Sequence, residues 1–301
     1  MGRRSRFSIA KKDIVSFFDE QAASIFTKNM LASIFYEQQD FWRLATSMRV
    51  NDFIDELIKT KHLKKYSFKF PDRSITLYTW KEFNFYKLLT SLKPNSYLCF
   101  HTALHLHNLT EQIPKQYYVS SLRASKLDRR DNYTLDNIQQ EAIDKAFSKQ
   151  KIGSSKFAVF DESRVFLLES HLAEGIGIQE LSIGNFNDTI RVTDLERTLI
   201  DAVVRPFYCG GVYEVLKAFE LCSDKISINR ISSYLKRLDF IYPYHQAIGF
   251  YLERTGKFPE SAIQKIHNRF QKKRKMYLTY GQKNLSFSET WQVYYPSSLG
   301  K

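Results

Sequence analysis

The 301-residue chain is poor in the residues that punctuate or staple a fold, with 7 proline, 11 glycine and 3 cysteine residues. So little proline and glycine argues against low-complexity segments, and an ordered chain is expected. Cys99, Cys209 and Cys222 are too few and too scattered for a disulfide framework or a zinc site. Buried thiols and a reduced, cytoplasmic setting are expected instead. No apolar run approaches the roughly 20 residues of a membrane-spanning helix, so no membrane partner is expected. Met1–Ala10 is basic but has neither an apolar signal core nor a small-residue cleavage site. Arg3, Arg4 and Arg6 read as a basic arm ahead of the first helix, or as a solvated tail.

What is abundant is core material and positive charge. Hydrophobic residues make up 43%, with 24 Phe and 18 Tyr, and the formal net charge is +13. At roughly 100–200 residues per domain, the length suggests two domains. The charge favours an anionic partner.

Residues 1–80 carry helical periodicity followed by strand periodicity. A helix from about Lys11 to Ala23 turns Ile14, Val15, Phe17, Phe18 and Ala22 inward. A second, from the cap Thr27 to Glu37, buries Met30, Leu31, Ile34 and Phe35. A third, Arg49 to His62, buries Val50, Phe53, Ile54, Leu57 and Ile58. Two extended runs, Leu63–Phe70 and Ile75–Trp80, flank a turn at Pro71–Ser74. Three helices and a hairpin give the order of a winged helix-turn-helix, joined by a connecting helix at 81–94 to a second domain at 95–301. Strands are expected at Gln116–Ser120, Lys156–Phe160, Arg164–Glu169, Gly177–Ile183 and Thr189–Val192. Between them, about Arg123–Gln150 suggests a loop and an exposed helix. Helices then follow at Asp194–Val204, Val212–Cys222, Ile228–Leu238, Pro243–Arg254 and Pro259–Phe270, and a hairpin over Met276–Tyr295 turns at Tyr280–Asn284. The expected class is α+β: a winged helix-turn-helix, then a mixed-sheet domain with a C-terminal helical layer.

In a winged helix the third helix enters the major groove and the wing lies along the backbone or in the minor groove. Arg43, Arg49 and Asn51 sit at or near the start of that helix, and Arg and Asn are the types that read guanine and adenine edges. Lys59, Lys61, Lys64, Lys65, Lys69 and Arg73 suit phosphate contacts. The other reading is a winged helix used for protein contacts, with these charges as a solvated face. A second cluster, Lys272, Lys273, Arg274 and Lys275, follows a helix carrying Lys265; it reads either as a grip on nucleic-acid backbone or as a solvated helix end.

Catalytic signatures are scarce. His101 and His105 have the spacing of a metalloprotease pair, with His107 following, but Thr102 stands where the catalytic Glu belongs, so capping or core histidines are expected and no metal. No Asp or Glu is followed two positions later by Lys, as a restriction-type nuclease requires; Glu162-Ser163-Arg164 comes nearest. Gly175-Ile176-Gly177 falls short of a dinucleotide fingerprint, and there is no Walker loop or Gly-x-Ser-x-Gly elbow. No cofactor and no enzyme activity are expected.

Two segments of the second domain, FHTALHLHNLTEQIP (Phe100–Pro114) and VTDLERTLIDA (Val192–Ala202), the latter followed by Arg205-Pro206 and Cys209-Gly210-Gly211-Val212, resemble the AbiEi antitoxin family. The resemblance implies an antitoxin of a type IV abortive-infection module that represses its own operon. Its winged helix would bind inverted repeats in double-stranded DNA. Its C-terminal domain would neutralise a nucleotidyltransferase toxin without a stable complex. The basic arm departs from the family pattern. Among the matched residues, Thr193-Asp194-Leu195-Glu196 reads as a capping box closed by Glu196, Arg197 and Asp201 as an i, i+4 pair, and Gly210-Gly211 as a tight turn between helices. These residues serve either the fold or an antitoxin surface. The alternatives to an antitoxin are a winged-helix transcriptional regulator whose second domain senses a ligand or protein, and a nucleic-acid-processing enzyme.

Overall fold

Local hydrogen bonding decides where the first helix starts. In the computed structural model, which describes residues 5–80, 82–122, 138–151, 153–170, 175–183, 188–269, 274–281 and 283–300, the Ser5 hydroxyl accepts the Ser8 N–H and opens α1 (Arg6–Glu20). The helix therefore begins five residues before the position that periodicity suggested and also buries Phe7 and Ala10. It ends before Ala22, which is exposed rather than inward. Ile25–Thr27 forms a short strand, β1, and Thr27 then caps α2 (Lys28–Gln38) by accepting the Met30 N–H. Leu31 and Phe35 are buried, whereas Met30 lies on the outward side of the first turn and is exposed.

Helix α3 (Val50–Lys59) buries Phe53, Ile54 and Leu57. The Phe53 ring is the centre of an aromatic cluster, with Phe35 5.2 Å, Trp42 5.7 Å and Phe7 6.1 Å away between ring centroids. Each such ring contact adds about 0.5–1.5 kcal/mol to the apolar burial. Strands β2 (Leu63–Lys69) and β3 (Ser74–Trp80) pair antiparallel from Leu63↔Trp80 to Lys69↔Ser74, and β1 adds to the other side of β3. The sheet order β1-β3-β2 leaves β2 at an edge. β1 escaped the sequence reading because three residues carry no measurable alternation. After the hairpin, α4 (Phe85–Thr90) is capped by Asn84.

The chain forms two units: residues 1–94 with 158–160 and 182–190, and residues 95–157, 161–181 and 191–301. Residues 81–94 thus count with the first unit. The later chain builds a mixed sheet from β4 (Ser96–Leu98), β5 (Gln116–Leu122), β6 (Phe157–Phe160), β7 (Ser163–Ser170), β8 (Ile178–Ile183) and β9 (Asp188–Thr193), in the order β6-β7-β5-β4-β9-β8. β5 and β7 run parallel over seven paired positions, and β4 is antiparallel to β5 but parallel to β9. The five strands expected from sequence all form. The short central β4 does not show in the sequence because its three residues, though all buried, sit against the start of α5 (Phe100–Leu106). In the segment expected to hold a loop and an exposed helix, residues 123–137 lie outside the described residues, while α6 (Gln140–Ser148) buries Ile143 and Phe147.

The helical layer is α7 (Leu195–Val204), α8 (Val212–Leu221), α9 (Ile228–Leu238), α10 (Tyr244–Arg254) and α11 (Glu260–Arg269). One continuous apolar cluster joins them, from Leu199 through Val215, Ile231 and Ile248 to Ile266. The tail differs from the expected hairpin. β10 (Met276–Tyr277) runs parallel to β12 (Val293–Pro296), and the hairpin is instead β11 (Leu285–Ser288) with β12. The reason lies in α10. The buried Gln246 amide donates to the carbonyls of Arg274, Trp291 and Gln292 at 2.9, 2.9 and 3.2 Å, which fixes two tail segments side by side. One turn later, Gly249 leaves room for the Trp291 indole: a Cβ there would stand 2.0 Å from its ring.

Alanine is a better helix former than glycine by about 1 kcal/mol. Gly249→Ala is nevertheless expected to destabilise the protein by about 1–3 kcal/mol, because overpacking at Trp291 outweighs that gain. Urea denaturation measures it, and a neutral or stabilising result would show that Trp291 does not fill this gap.

Candidate functional site

All nine residues assigned to DNA contact in the first unit are exposed, but they do not form one surface of uniform charge. Arg49 is the residue before α3, and its own N–H is taken by the Asp52 carboxylate at 3.0 Å. Asn51, Asp55 and Lys59 follow one another at i, i+4 and i+8 along the outer stripe of α3. Asp52 and Glu56 flank that stripe, and Lys59 pairs with Glu56 at 3.4 Å. Three carboxylates therefore stand among the residues expected to enter a groove. The count was available in the sequence; only the helix face shows that they share a surface with Asn51.

The hairpin differs. On β2, Lys65, Ser67 and Lys69 occupy alternate, exposed positions, Lys64 is exposed on the opposite face, and the strand holds no carboxylate. Tyr66 is half-buried and Phe68 fully buried, which keeps the hairpin anchored. Arg73 sits at its turn. Arg43 and Lys61 occupy left-handed turn positions at φ 50° and 62°, one on each side of α3 in the chain. Lysines on an edge strand also serve to block edge-to-edge pairing, which is the purely structural use of this arrangement.

In the second unit the matched motif lies on α7, and its residues are interior. Glu196, Arg197 and Asp201 are 2%, 4% and 7% exposed. The cap is Asp194, whose Oδ1 accepts the Arg197 N–H at 2.8 Å. The expected capping box at Thr193 does not form: the Thr193 hydroxyl bonds Thr198, and the Glu196 side chain turns away from its own helix. Glu196 Oε1 accepts the Ser227 N–H at 2.8 Å and Oε2 accepts from Arg230 at 3.1 Å, so Glu196 satisfies the start of α9. Asp194 wins the cap because its short carboxylate reaches the N–H three residues on, where a Thr one position earlier does not.

The Arg197 guanidinium donates to Asp201 Oδ1 at 2.8 Å and to the Ile176 carbonyl at 2.7 Å. Burial pushes the Asp201 carboxyl upward and the adjacent guanidinium opposes that push. Gly177 exists to admit this arginine, since a Cβ there would lie 2.5 Å from Arg197 Cβ. Gly210 and Gly211 have φ of +83° and +95°, the left-handed backbone that the turn into α8 requires. His107 Nε2 lies 2.6 Å from the Thr193 carbonyl and ties the end of α5 to the start of α7. His101 is held below the usual imidazole range by burial. The three cysteines are buried and unpaired, and burial pushes the Cys222 thiol up to about 12.

Of the C-terminal basic run, Lys272 and Lys273 lie outside the described residues. Arg274 Nε donates to the Ile138 carbonyl at 2.8 Å, and Lys275 Nζ stands 5.3 Å from the Phe287 ring centroid. Lys265 is exposed on α11. Arg274 thus already has a structural use, which four adjacent cations in a sequence do not reveal.

No family model and no curated protein matches the chain. A solved structure does. Over 100% of this chain and 97% of the other, the fold is similar to the crystal structure of the RV2827C protein from Mycobacterium tuberculosis, with a TM-score of 0.60 and 14% identity. At that identity the likeness bears on the fold alone.

Removing one partner of a buried ion pair strands the other charge, at a cost of about 3–5 kcal/mol. Arg197→Met is therefore expected to lower unfolding free energy by that order, measured by urea denaturation monitored in the far ultraviolet. A loss below about 0.5 kcal/mol, the size of a surface substitution, would mean that Asp201 is not sealed from solvent.

Proposed function

We propose that the first unit is a winged helix and that the protein binds double-stranded DNA through it. The observation that carries this reading is the element order α1-β1-α2-α3-β2-β3 with a carboxylate-free, lysine-bearing β2 at the sheet edge. Contact through the hairpin supplies backbone affinity, since lysine neutralises phosphate without reading a base. Arg49 and Asn51, at the start of α3, supply the base-reading types. Asp55 and Glu56 repel phosphate along the length of α3, whereas Asp52 in its first turn is engaged by the Arg49 N–H, so approach by the helix N-terminus is favoured.

Each lost phosphate contact lowers the slope of log K against log salt by about 0.9. Lys65→Glu/Lys69→Glu is accordingly expected to weaken binding to every duplex and to flatten the salt slope by about two contacts' worth. Arg49→Ala should cost about 1–3 kcal/mol on the operator and relax its specificity. Mobility-shift titrations at several salt concentrations check both; if both variants bind as the wild type does, this face is not the DNA surface.

The physiological role follows from the AbiEi resemblance of the second unit: an antitoxin that represses its own operon and neutralises a nucleotidyltransferase toxin. The buried state of Glu196, Arg197 and Asp201 supports a role for these residues in maintaining the domain rather than in touching a toxin directly. Co-expression with a nucleotidyltransferase encoded beside this gene is expected to restore growth. Absence of rescue by folded, full-length protein would leave a DNA-binding regulator without antitoxin activity.

A further inference from the structure

Within the second unit, the C-terminal end of α7, the loop between α9 and α10 and the ends of β4, β5 and β7 line an open-mouthed cavity of about 540 Å3. That volume lies inside the roughly 300–1,000 Å3 span of small-molecule sites. Its character is mixed in a specific way. One part is aromatic, lined by Phe100, Tyr208, Phe240, Tyr242 and Tyr244. Another part presents Lys151 and Arg205.

Both line the one cavity, and there desolvation and, after it, the Arg205 charge hold the Lys151 ammonium below its usual range. Neither has an ion-pair partner among the described residues, and Lys151 instead stands 4.9 Å from the centroid of the Tyr280 ring. The one deeply buried carboxylate in the lining, Asp201, is already held by Arg197. The other carboxylates of the lining, Glu169 and Asp239, lie at its outer part, so the two cations without an ion-pair partner at the wall are open to an anion. A phosphate monoester carries about −1.5 to −2 at neutral pH, and Arg matches its geometry in a fork that Lys supplements. The aromatic walls favour a planar ring beside it. Asp239 at the exposed rim offers an acceptor for a sugar hydroxyl or a base amino group.

We infer that this cavity binds a small phosphate monoester bearing an aromatic ring, of mononucleotide type, with Lys151 and Arg205 on the phosphate and the Tyr/Phe wall on the ring. Such a site goes beyond the DNA-binding reading and does not depend on it. The DNA surface assigned above is in the first unit, and a ligand here makes the second unit responsive to a soluble metabolite.

The test is calorimetric titration of the full-length protein with AMP, GMP, CMP and UMP, with adenosine and inorganic phosphate as separate arms. At least one nucleotide is expected to bind with 1:1 stoichiometry. Its nucleoside and inorganic phosphate alone should bind at least about tenfold more weakly, the worth of one charge-assisted hydrogen bond or one ring contact. Lys151→Glu/Arg205→Glu should weaken that nucleotide by at least about tenfold while the far-ultraviolet spectrum and DNA affinity stay as in the wild type. Lys151→Met, at an exposed position on the rim of the cavity, gives the same direction if the double variant does not fold. Binding by none of the four nucleotides, unchanged binding in both variants, or inorganic phosphate binding as tightly as every nucleotide would each overturn the proposal. Loss of DNA binding in the Lys65→Glu/Lys69→Glu protein with nucleotide binding intact would leave it standing.

Discussion

The second unit depends on one helix that carries charge into the interior. Residues Glu196 to Val203 of α7 are all buried, although three of them are Glu, Arg and Asp. Ions at such depth are tolerable only when every charge is paired and every polar atom is used. That requirement explains the surroundings. Asp194 takes the Arg197 amide and the Tyr234 hydroxyl; Arg197 takes Asp201 and the Ile176 carbonyl; Glu196 takes the Ser227 amide and Arg230. The network therefore fixes the turn before β8, the start of α9 and the register of α7 in one set of bonds. It also leaves Arg205, at the C-cap of the same helix, directed to the cavity wall while Arg197 is spent on Asp201.

In the first unit the organising constraint is apolar rather than ionic. Phe53 sits where α1, α2 and the segment holding Trp42 meet, and the rings of Phe7, Phe35 and Trp42 pack around it. With α3 held by its inner face, its outer face is free to carry Asn51, Asp52, Asp55 and Lys59. The hairpin follows the same logic. Tyr66 and Phe68 anchor one side of β2, and that anchorage makes a row of exposed lysines on the other side tolerable.

The C-terminal tail is held by a polar device acting with a steric one. Gln246 donates one buried amide group among three carbonyls, and Gly249 yields its side-chain volume to Trp291, whose indole N–H reaches Glu253 at 2.8 Å. A buried amide aimed at carbonyls from separate segments specifies one arrangement of the tail, because any slip leaves donors and acceptors unsatisfied.

Much of the element order was written in periodicity. The amphipathic spacing of Phe53, Ile54 and Leu57, the alternation through Tyr66 and Phe68, and Thr27 ahead of an apolar run each act through neighbours a few residues apart. So do the left-handed glycines at 210 and 211 and the i, i+4 pairing of Arg197 with Asp201. What the sequence did not determine are choices between distant partners. Three-residue strands such as β1 and β4 exist only because a long strand lies alongside them. Glu196 was an equally good partner for its own helix end or for that of α9, thirty-one residues on, and only packing brought Ser227 within 2.8 Å. The tail's parallel pairing required Gln246 and Gly249, which look unremarkable on a helix until Trp291 arrives. The meeting of Lys151 and Arg205 in the lining of one cavity beside an aromatic wall is of the same kind, since fifty-four positions of chain separate them.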